Sequence, residues 1–168
     1  MDVLAYTQII LTLNTPKLLN HVMKIAIICA LMIFQLPLQA QQPALEVNNA
    51  VKDYVDAFYY GDSSKIYRSI SPQVVKFGYY MPRGKTVYEG EPMSFQEMVE
   101  YALNVKKRGV SPDVEKFPKQ IEVFDVQDQT ASAKLTAWWG TDFLLLAKIG
   151  GHWMITHVLW QSRPAKPQ

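Results

Sequence analysis

The chain has 168 residues, of which 49% are hydrophobic and 19% charged, and its formal net charge is +2. This length is typical of one domain, and the composition excludes an intrinsically disordered chain. Lys17, Lys24 and Asp2 precede the folded part defined below; without them, 15 basic and 14 acidic residues remain. Such a nearly neutral domain, with no basic stripe, lacks the phosphate-neutralising charge that nucleic-acid binding requires, so no nucleic-acid partner is predicted.

The N-terminal part has the layout of an export signal. Lys24 precedes a short apolar core, Ile25–Leu36, and a small residue, Ala40, stands at the expected cleavage point. The core is shorter than the about 20 apolar residues of a membrane-spanning helix. We therefore predict a signal peptide from Met23 to Ala40, a periplasmic or secreted mature protein, and no membrane association after cleavage. The segment 1–22 is interpreted as an extended gene prediction.

The cysteine content supports this interpretation. Cys29 is the only cysteine and lies inside the predicted signal. The mature domain, expected over residues 41–162 with a flexible tail at 163–168, then has no disulfide and no thiolate ligand. With only two histidines left in that domain and no supporting spacing of acidic residues, the sequence predicts no metal site and no cofactor.

Two helices and a strand are predicted at the start of the domain. The first helix carries an apolar stripe and ends at Gly61. The stripe consists of Val47, Val51, Tyr54, Val55 and Phe58. Asp62 or Ser63 caps a second, shorter helix, which Ser71-Pro72 ends. Val74–Tyr80 follows as a strand.

A third helix and four strands complete the predicted elements. Ser94 and Glu97 form a capping box at the start of the helix, which ends near Gly109. From Ile121 to Trp160 the pattern is typical of a four-stranded antiparallel meander. Its hairpin turns are predicted at Asp128-Gln129, Gly140-Thr141 and Gly150-Gly151. Helices segregated from a meander favour an α+β fold.

The last hairpin predicts which side chains share a face of the sheet. A two-residue Gly150-Gly151 turn places Leu144 opposite His157 and Asp142 opposite Leu159. Asp142 is then diagonal to His157, at about 7–8 Å, on an inner face that also carries Trp139, Ala137 and Leu135.

The other face is also apolar. It carries Trp138, Phe143, Leu145, Met154, Thr156, Val158 and Trp160. A half-exposed antiparallel sheet would alternate apolar and polar residues, so both faces must be covered. We expect the helices to cover one face and a second copy of the chain to cover the other, giving a homodimer through the sheet.

The chain resembles the nuclear transport factor two-like superfamily and, within it, the bacterial group labelled putative lumazine-binding, relatives of SnoaL-like proteins. The resemblance covers nearly all of residues 44–162. It is carried by Tyr54–Asp62, Phe77–Tyr80, Met93–Phe95, Asp142-Phe143 and Lys148–Trp160. It implies an α+β, cystatin-like cone of three N-terminal helices packed on a curved, mainly antiparallel sheet enclosing a pocket. The superfamily hosts enzymes, binders and assembly modules alike, so the resemblance is specific for the fold.

The favoured interpretation is a non-catalytic domain that binds a small, partly apolar molecule. Its pocket would be lined by Tyr54, Phe58, Tyr80, Trp139 and His157. The aromatic residues also fit an ordinary core, and His157 also fits a pocket wall or a dimer seam.

Two alternatives remain open. In an isomerase, cyclase or dehydratase, His157 would be the general base, Asp142 would orient its ring, and a tyrosine would donate to the developing oxyanion. In an assembly module, the domain's own side chains would fill the pocket, and the dimer surface alone would function.

Overall fold

The computed structural model describes residues 23–24 and 36–163, with side chains inside the first helix described from Gln42 onward. The chain divides into two compact units, Met1–Gln41 and Gln42–Gln168. The segment 1–22, Cys29, most of the predicted signal core and the tail beyond Arg163 lie outside the described residues. None of the described helices is long and apolar enough to cross a membrane.

Three helices lie in the described part of the chain from residue 36 onward. Helix α1 spans Leu36–Tyr60, α2 spans Ser63–Ser69 and α3 spans Phe95–Arg108. A short 3₁₀ turn lies at Val114–Lys116. Helix α1 begins upstream of the expected domain start at Gln41, and its predicted apolar stripe is buried in the core.

The helix ends follow the predicted local chemistry. Gly61 has a φ of +73°, and its N–H donates to the Ala57 carbonyl at 3.0 Å, which ends α1. Asp62 caps α2 by accepting from the Ser64 N–H. The predicted capping box of α3 is confirmed, since Ser94 accepts from the Glu97 N–H and the Glu97 carboxylate accepts from the Ser94 N–H.

Six strands of the described residues form one sheet in the order β2-β1-β6-β5-β4-β3. They are β1 Ile70–Tyr80, β2 Glu89–Pro92, β3 Gln120–Val126, β4 Thr130–Ala137, β5 Gly140–Ile149 and β6 His152–Ser162. The predicted meander β3–β6 is antiparallel throughout. The sequence reasoning missed the edge strand β2 and the parallel pairing of β1 with β6.

One predicted turn is wrong. Ala137 pairs with Gly140, so Trp138-Trp139 forms the β4–β5 turn, and Gly140-Thr141 already belongs to β5. Gly140 serves a different purpose: a Cβ on it would lie 2.0 Å from the Gln161 carbonyl oxygen. The glycine therefore permits close approach of the β6 backbone rather than a tight turn.

The predicted register of the last hairpin is correct near the turn and wrong beyond a bulge. Ile149 pairs with His152 and Leu146 pairs with Ile155, as predicted, but Leu145 then pairs with His157. Thr156 is the extra residue of this bulge, and its hydroxyl donates to the Leu145 carbonyl at 3.1 Å.

The bulge exchanges the faces of all later residues in β6. Val158 and Trp160 were predicted on the face opposite the inner one, but they pack with the core. His157 and Leu159 are instead exposed on that opposite face. The helices and the inner face of the sheet share one hydrophobic core. The fold is thus the predicted α+β cone, with a mixed sheet.

Candidate functional site

The inner side of the cone contains a cavity of about 250 Å³, here called the cone pocket. Helices, strands and the β4–β5 turn all contribute to its walls. The lining residues are Phe58 from α1, Lys76 from β1, Glu91 from β2, Met93, Tyr101 from α3, Trp138 and Trp139 from the β4–β5 turn, and Trp160 from β6. Glu91 and Trp138 are exposed, so the cone pocket reaches the surface.

A chain of buried polar groups lies at the base of the cone pocket. Lys76 Nζ donates to Tyr54 Oη at 2.8 Å, and Tyr54 Oη donates to Asp142 Oδ2 at 2.8 Å. Trp139 Nε1 donates to the other carboxylate oxygen of Asp142 at 2.9 Å. Tyr54 and Asp142 are fully buried, and Lys76 is 8% exposed. We call these four residues the polar chain.

Burial shifts the pKa values of the polar chain. It raises the pKa of Asp142 above the usual aspartate value, although Lys76 and the hydrogen bonds from Trp139 and Tyr54 oppose the shift. Burial lowers the pKa of Lys76, and the Asp142 charge counteracts this. Burial and the neighbouring carboxylate raise the pKa of Tyr54 well above its usual value, so its hydroxyl remains a donor.

Two aromatic rings, those of Phe58 and Tyr54, lie close to the Lys76 ammonium, and further rings pack on Phe58. Phe58 packs on Tyr54, Tyr101 and Trp139 with ring centroids 5.1, 5.3 and 5.7 Å apart. Lys76 Nζ lies 5.0 Å from the centroid of the Phe58 ring and 5.2 Å from that of Tyr54. At these distances a cation is attracted to the ring faces. The cone pocket therefore combines flat apolar walls with one buried cation.

Of the residues predicted to bind a ligand, Phe58 and Trp139 line the cone pocket, and Tyr54 lies beneath it in the polar chain. Tyr80 lies apart, half-buried near the end of β1, and its hydroxyl donates to Glu89 at 3.3 Å. His157 is exposed on the opposite side of the sheet.

The predicted pairing of His157 with Asp142 is wrong. The bulge at Thr156 places the His157 side chain on the side of the sheet that points away from the core, whereas Asp142 is fully buried on the inner face. The nearest polar partner of His157 is the Thr156 hydroxyl, 3.1 Å from Nδ1. The structure does not assemble the base and orienting carboxylate that the enzymatic alternative requires.

Sequence reasoning missed Lys76, together with the other lining residues Glu91, Met93, Tyr101, Trp138 and Trp160. A lysine in a strand is usually solvent-exposed, so it gave no signal by itself. The alternation of Val75, Phe77 and Tyr79 does place Lys76 on the opposite face of β1. Only the packing shows that the face bearing Lys76 is the buried one, and that the three apolar side chains are exposed.

Gly78 shapes one wall of the cone pocket. It follows Lys76 on the inner face of β1, and a Cβ on it would lie 1.8 Å from Trp160 Nε1. The Trp160 indole thus lies directly over the Gly78 backbone. Within the described residues this indole N–H is buried and has no hydrogen-bond partner.

The opposite surface of the sheet, here called the outer face, is apolar. It is formed by Val75, Phe77, Tyr79, Phe124, Phe143, Leu145 and Leu159, together with His157. Val75, Phe124, Phe143, Leu145 and Leu159 are each more than half exposed. Across the part of the chain that the structure describes, no three His, Cys, Asp or Glu side chains are grouped so that they could hold a metal ion.

Comparison with known proteins supports the fold. The family model described as "Putative lumazine-binding" matches residues 42–161. An NTF2-like protein of unknown function from Silicibacter pomeroyi is 18% identical and has a TM-score of 0.57; the alignment covers 74% of this chain and 98% of that one. One from Shewanella baltica is also 18% identical, with a TM-score of 0.52 and coverages of 74% and 96%. No curated protein matches significantly.

Proposed function

Since this chain belongs to the Putative lumazine-binding family of NTF2-like proteins, we propose that it binds a small, partly apolar molecule in the cone pocket. The observation that carries the proposal is an aromatic-walled cavity of about 250 Å³ that reaches the surface and has a buried ammonium at its base. Binding sites for small molecules typically combine such apolar walls with a few fixed polar groups.

The size of the cone pocket limits the ligand. Its volume is slightly below the range of about 300–1,000 Å³ typical of sites for drug-sized molecules. The aromatic walls suit a flat ring system, and the family description names lumazine, a flat bicyclic heterocycle. Ligands of about two fused rings are therefore the first to test.

Filling the cone pocket tests this proposal. Met93→Trp adds bulk at a lining position, and Val87→Trp, at a residue 71% exposed and outside the lining, is the matched control. We expect lumazine or 2-naphthamide to bind wild type and Val87→Trp equally in isothermal titration calorimetry, and Met93→Trp at least about tenfold more weakly. Absence of binding to wild type, or equal binding to all three proteins, would contradict the proposal.

The outer face supports a second proposal, homodimerisation. Its exposed side chains are almost all apolar. Among the described residues, one ion pair lies beside them, Lys134 with Glu122 at 2.6 Å, and its two charges neutralise each other. A surface of this kind is complementary to itself, because no fixed charge has to find an opposite charge in the partner. We therefore propose that a second copy of the chain covers the outer face.

A charge introduced on the outer face tests the dimer. Leu145 is 53% exposed there, and Leu103 is 48% exposed on α3. In sedimentation equilibrium we expect wild type and Leu103→Lys to be dimeric and Leu145→Lys to be monomeric. A monomeric wild type up to millimolar concentration would refute this proposal without affecting ligand binding.

Export is the third element of the proposed function. It is supported by the sequence alone: a lysine, a short apolar core and a small residue at the expected cleavage point Ala40. Expression with this N-terminus in a bacterial host, followed by N-terminal sequencing of the periplasmic fraction, should give a chain that begins at Gln41. An uncleaved chain in the cytoplasm would exclude export.

A further inference from the structure

We propose that the molecule bound in the cone pocket carries an anionic oxygen, on a flat ring, that binds Lys76 Nζ. This inference rests on the proposed function, since it names the chemical class of the ligand for the same site. It follows from the hydrogen-bond inventory of Lys76, from the placement of the nearby charges, and from the shape of the walls.

The ammonium of Lys76 has more hydrogen-bond donors than the described residues accept from. An ammonium has three N–H donors. Tyr54 Oη accepts one of them, and within the described part of the chain no other side chain or carbonyl accepts from Lys76 Nζ. Because the residue is only 8% exposed, bulk water cannot fully solvate the remaining two donors. An unsatisfied buried donor is costly, so an acceptor in the pocket stabilises the complex.

The charges near Lys76 also favour an anionic ligand. Asp142 compensates the charge of Lys76 through the Tyr54 hydroxyl rather than by direct contact, and its two oxygens accept from Tyr54 and Trp139. Glu91 is the other charged residue of the lining, and it forms no salt bridge with Lys76 among the described residues. The pocket side of the ammonium thus faces aromatic rings, and an anion would give it a direct partner.

The walls of the cone pocket suit a flat ring next to Lys76. The Phe58 ring is within 5.0 Å of Lys76 Nζ, and Trp139 and Trp160 line the same cavity. An aromatic ring of the ligand can pack on these residues while an oxygen attached to it reaches the ammonium. A carboxylate or an enolate-type oxygen on a flat ring satisfies both conditions.

Two isosteric probes test the inference. 2-Naphthoate and 2-naphthamide share the same bicyclic ring and differ in charge. We expect wild type to bind 2-naphthoate at least about tenfold more tightly than 2-naphthamide, as measured by isothermal titration calorimetry, because a hydrogen bond between two charged groups is stronger than one to a neutral acceptor.

Variants assign that preference to Lys76. Lys76→Met alone would leave Asp142 buried without a counter-charge, so the test uses Lys76→Met combined with Asp142→Asn. This double variant should bind both probes equally. Lys148→Met, which removes a lysine outside the cone pocket, should retain the preference for 2-naphthoate.

A pH titration of wild type is independent of whether the double variant folds. Affinity for 2-naphthoate should fall as Lys76 loses its proton, at a pH below the ordinary lysine pKa of 10.5 because burial lowers its pKa. Affinity for 2-naphthamide should stay constant over the same range.

The outcomes separate the two proposals. If wild type binds both probes equally, or prefers 2-naphthamide, the anion is excluded and pocket binding stands. A preference that persists in the double variant, or is independent of pH, excludes Lys76. If neither probe binds to wild type, the proposed function fails together with this inference.

Discussion

The Tyr54 hydroxyl donates a 2.8 Å hydrogen bond to Asp142 Oδ2, joining two fully buried residues that are 88 positions apart in the chain. Tyr54 lies on α1 and Asp142 on β5, so the bond ties the first helix to the centre of the sheet. The same hydroxyl accepts from Lys76 Nζ. One oxygen atom thus links the two opposite charges at the base of the cone pocket.

Removing that oxygen should be strongly destabilising. Tyr54→Phe keeps the ring but takes one donor from the buried carboxylate and the acceptor from Lys76, so we expect a loss of about 2–4 kcal/mol in the free energy of unfolding. Urea denaturation measures it. Tyr79→Phe, on the exposed outer face, is the control and should change stability by less than about 0.5 kcal/mol. Equal effects of the two substitutions would show that the polar chain is not stabilising.

A second buried carboxylate, Asp56, should make the domain sensitive to acid. Burial by itself would raise the pKa of Asp56, but hydrogen bonds from Lys52, Lys65 and Lys119 outweigh it and lower the pKa to about 2, from 3.8. A carboxyl group whose pKa is lower in the folded than in the unfolded protein stabilises the fold when the pH is above its pKa in the unfolded protein. This stabilisation is lost as the pH falls towards its pKa in the folded protein. At neutral pH it amounts to about 2 kcal/mol.

The variant that tests this is Asp56→Asn. It should lower the unfolding free energy by about 2 kcal/mol at pH 7, and its difference from wild type should shrink between about pH 5 and pH 2. Asp128→Asn, at an exposed turn residue, is the control in the same urea titrations. A difference for Asp56→Asn that does not vary with pH would disprove the charge-based explanation.

His157→Ala should leave ligand binding unchanged. The side chain is exposed on the outer face, and the sheet separates it from the cone pocket. We expect the dissociation constant for 2-naphthoate or 2-naphthamide to stay within about twofold of wild type by calorimetry, whereas Phe58→Ala, in the pocket wall, should weaken binding clearly. A large effect of His157→Ala on binding would indicate that the ligand occupies the outer face.

Gly78→Ala should displace the wall of the cone pocket that Trp160 forms. The new methyl group would overlap the Trp160 indole, which has to move, and overpacking of this kind costs about 1–3 kcal/mol. Because the indole lines the cone pocket, probe affinity should also fall. In a double-mutant cycle, Gly78→Ala should cost much less in the Trp160→Ala background. Equal costs in both backgrounds would mean that Trp160 is not the obstacle.

Much of the fold was predictable because it depends on interactions between residues that lie close together in the sequence. The capping box at Ser94 and Glu97 and the Gly150-Gly151 turn depend on residues only a few positions apart, and the structure confirms both. The apolar stripe of α1 is likewise readable from spacing, since helical periodicity fixes which side chains share a face. The meander follows from turn signals between runs of strand-forming residues.

The candidate site depended on contacts that spacing does not encode. A single bulge at Thr156 moved His157 away from Asp142. The bulge shifts the alternation of side chains in β6, but the strand carries apolar residues on both faces, so the shift cannot be read from the sequence. The parallel pairing of β1 with β6 joins segments about 80 residues apart. That pairing and the packing of the helices decide that Lys76, rather than Val75 and Phe77, faces the interior.

The helices, the meander and the α+β class were thus readable from the sequence, because they follow from neighbouring residues and from periodicity. The aromatic-lined pocket was expected from the family resemblance. The chemistry at the base of that pocket became visible only in the packed fold. Lys76, Tyr54 and Asp142 come from three separate elements, and their partnership arises only when packing removes all three from water and leaves them to satisfy one another.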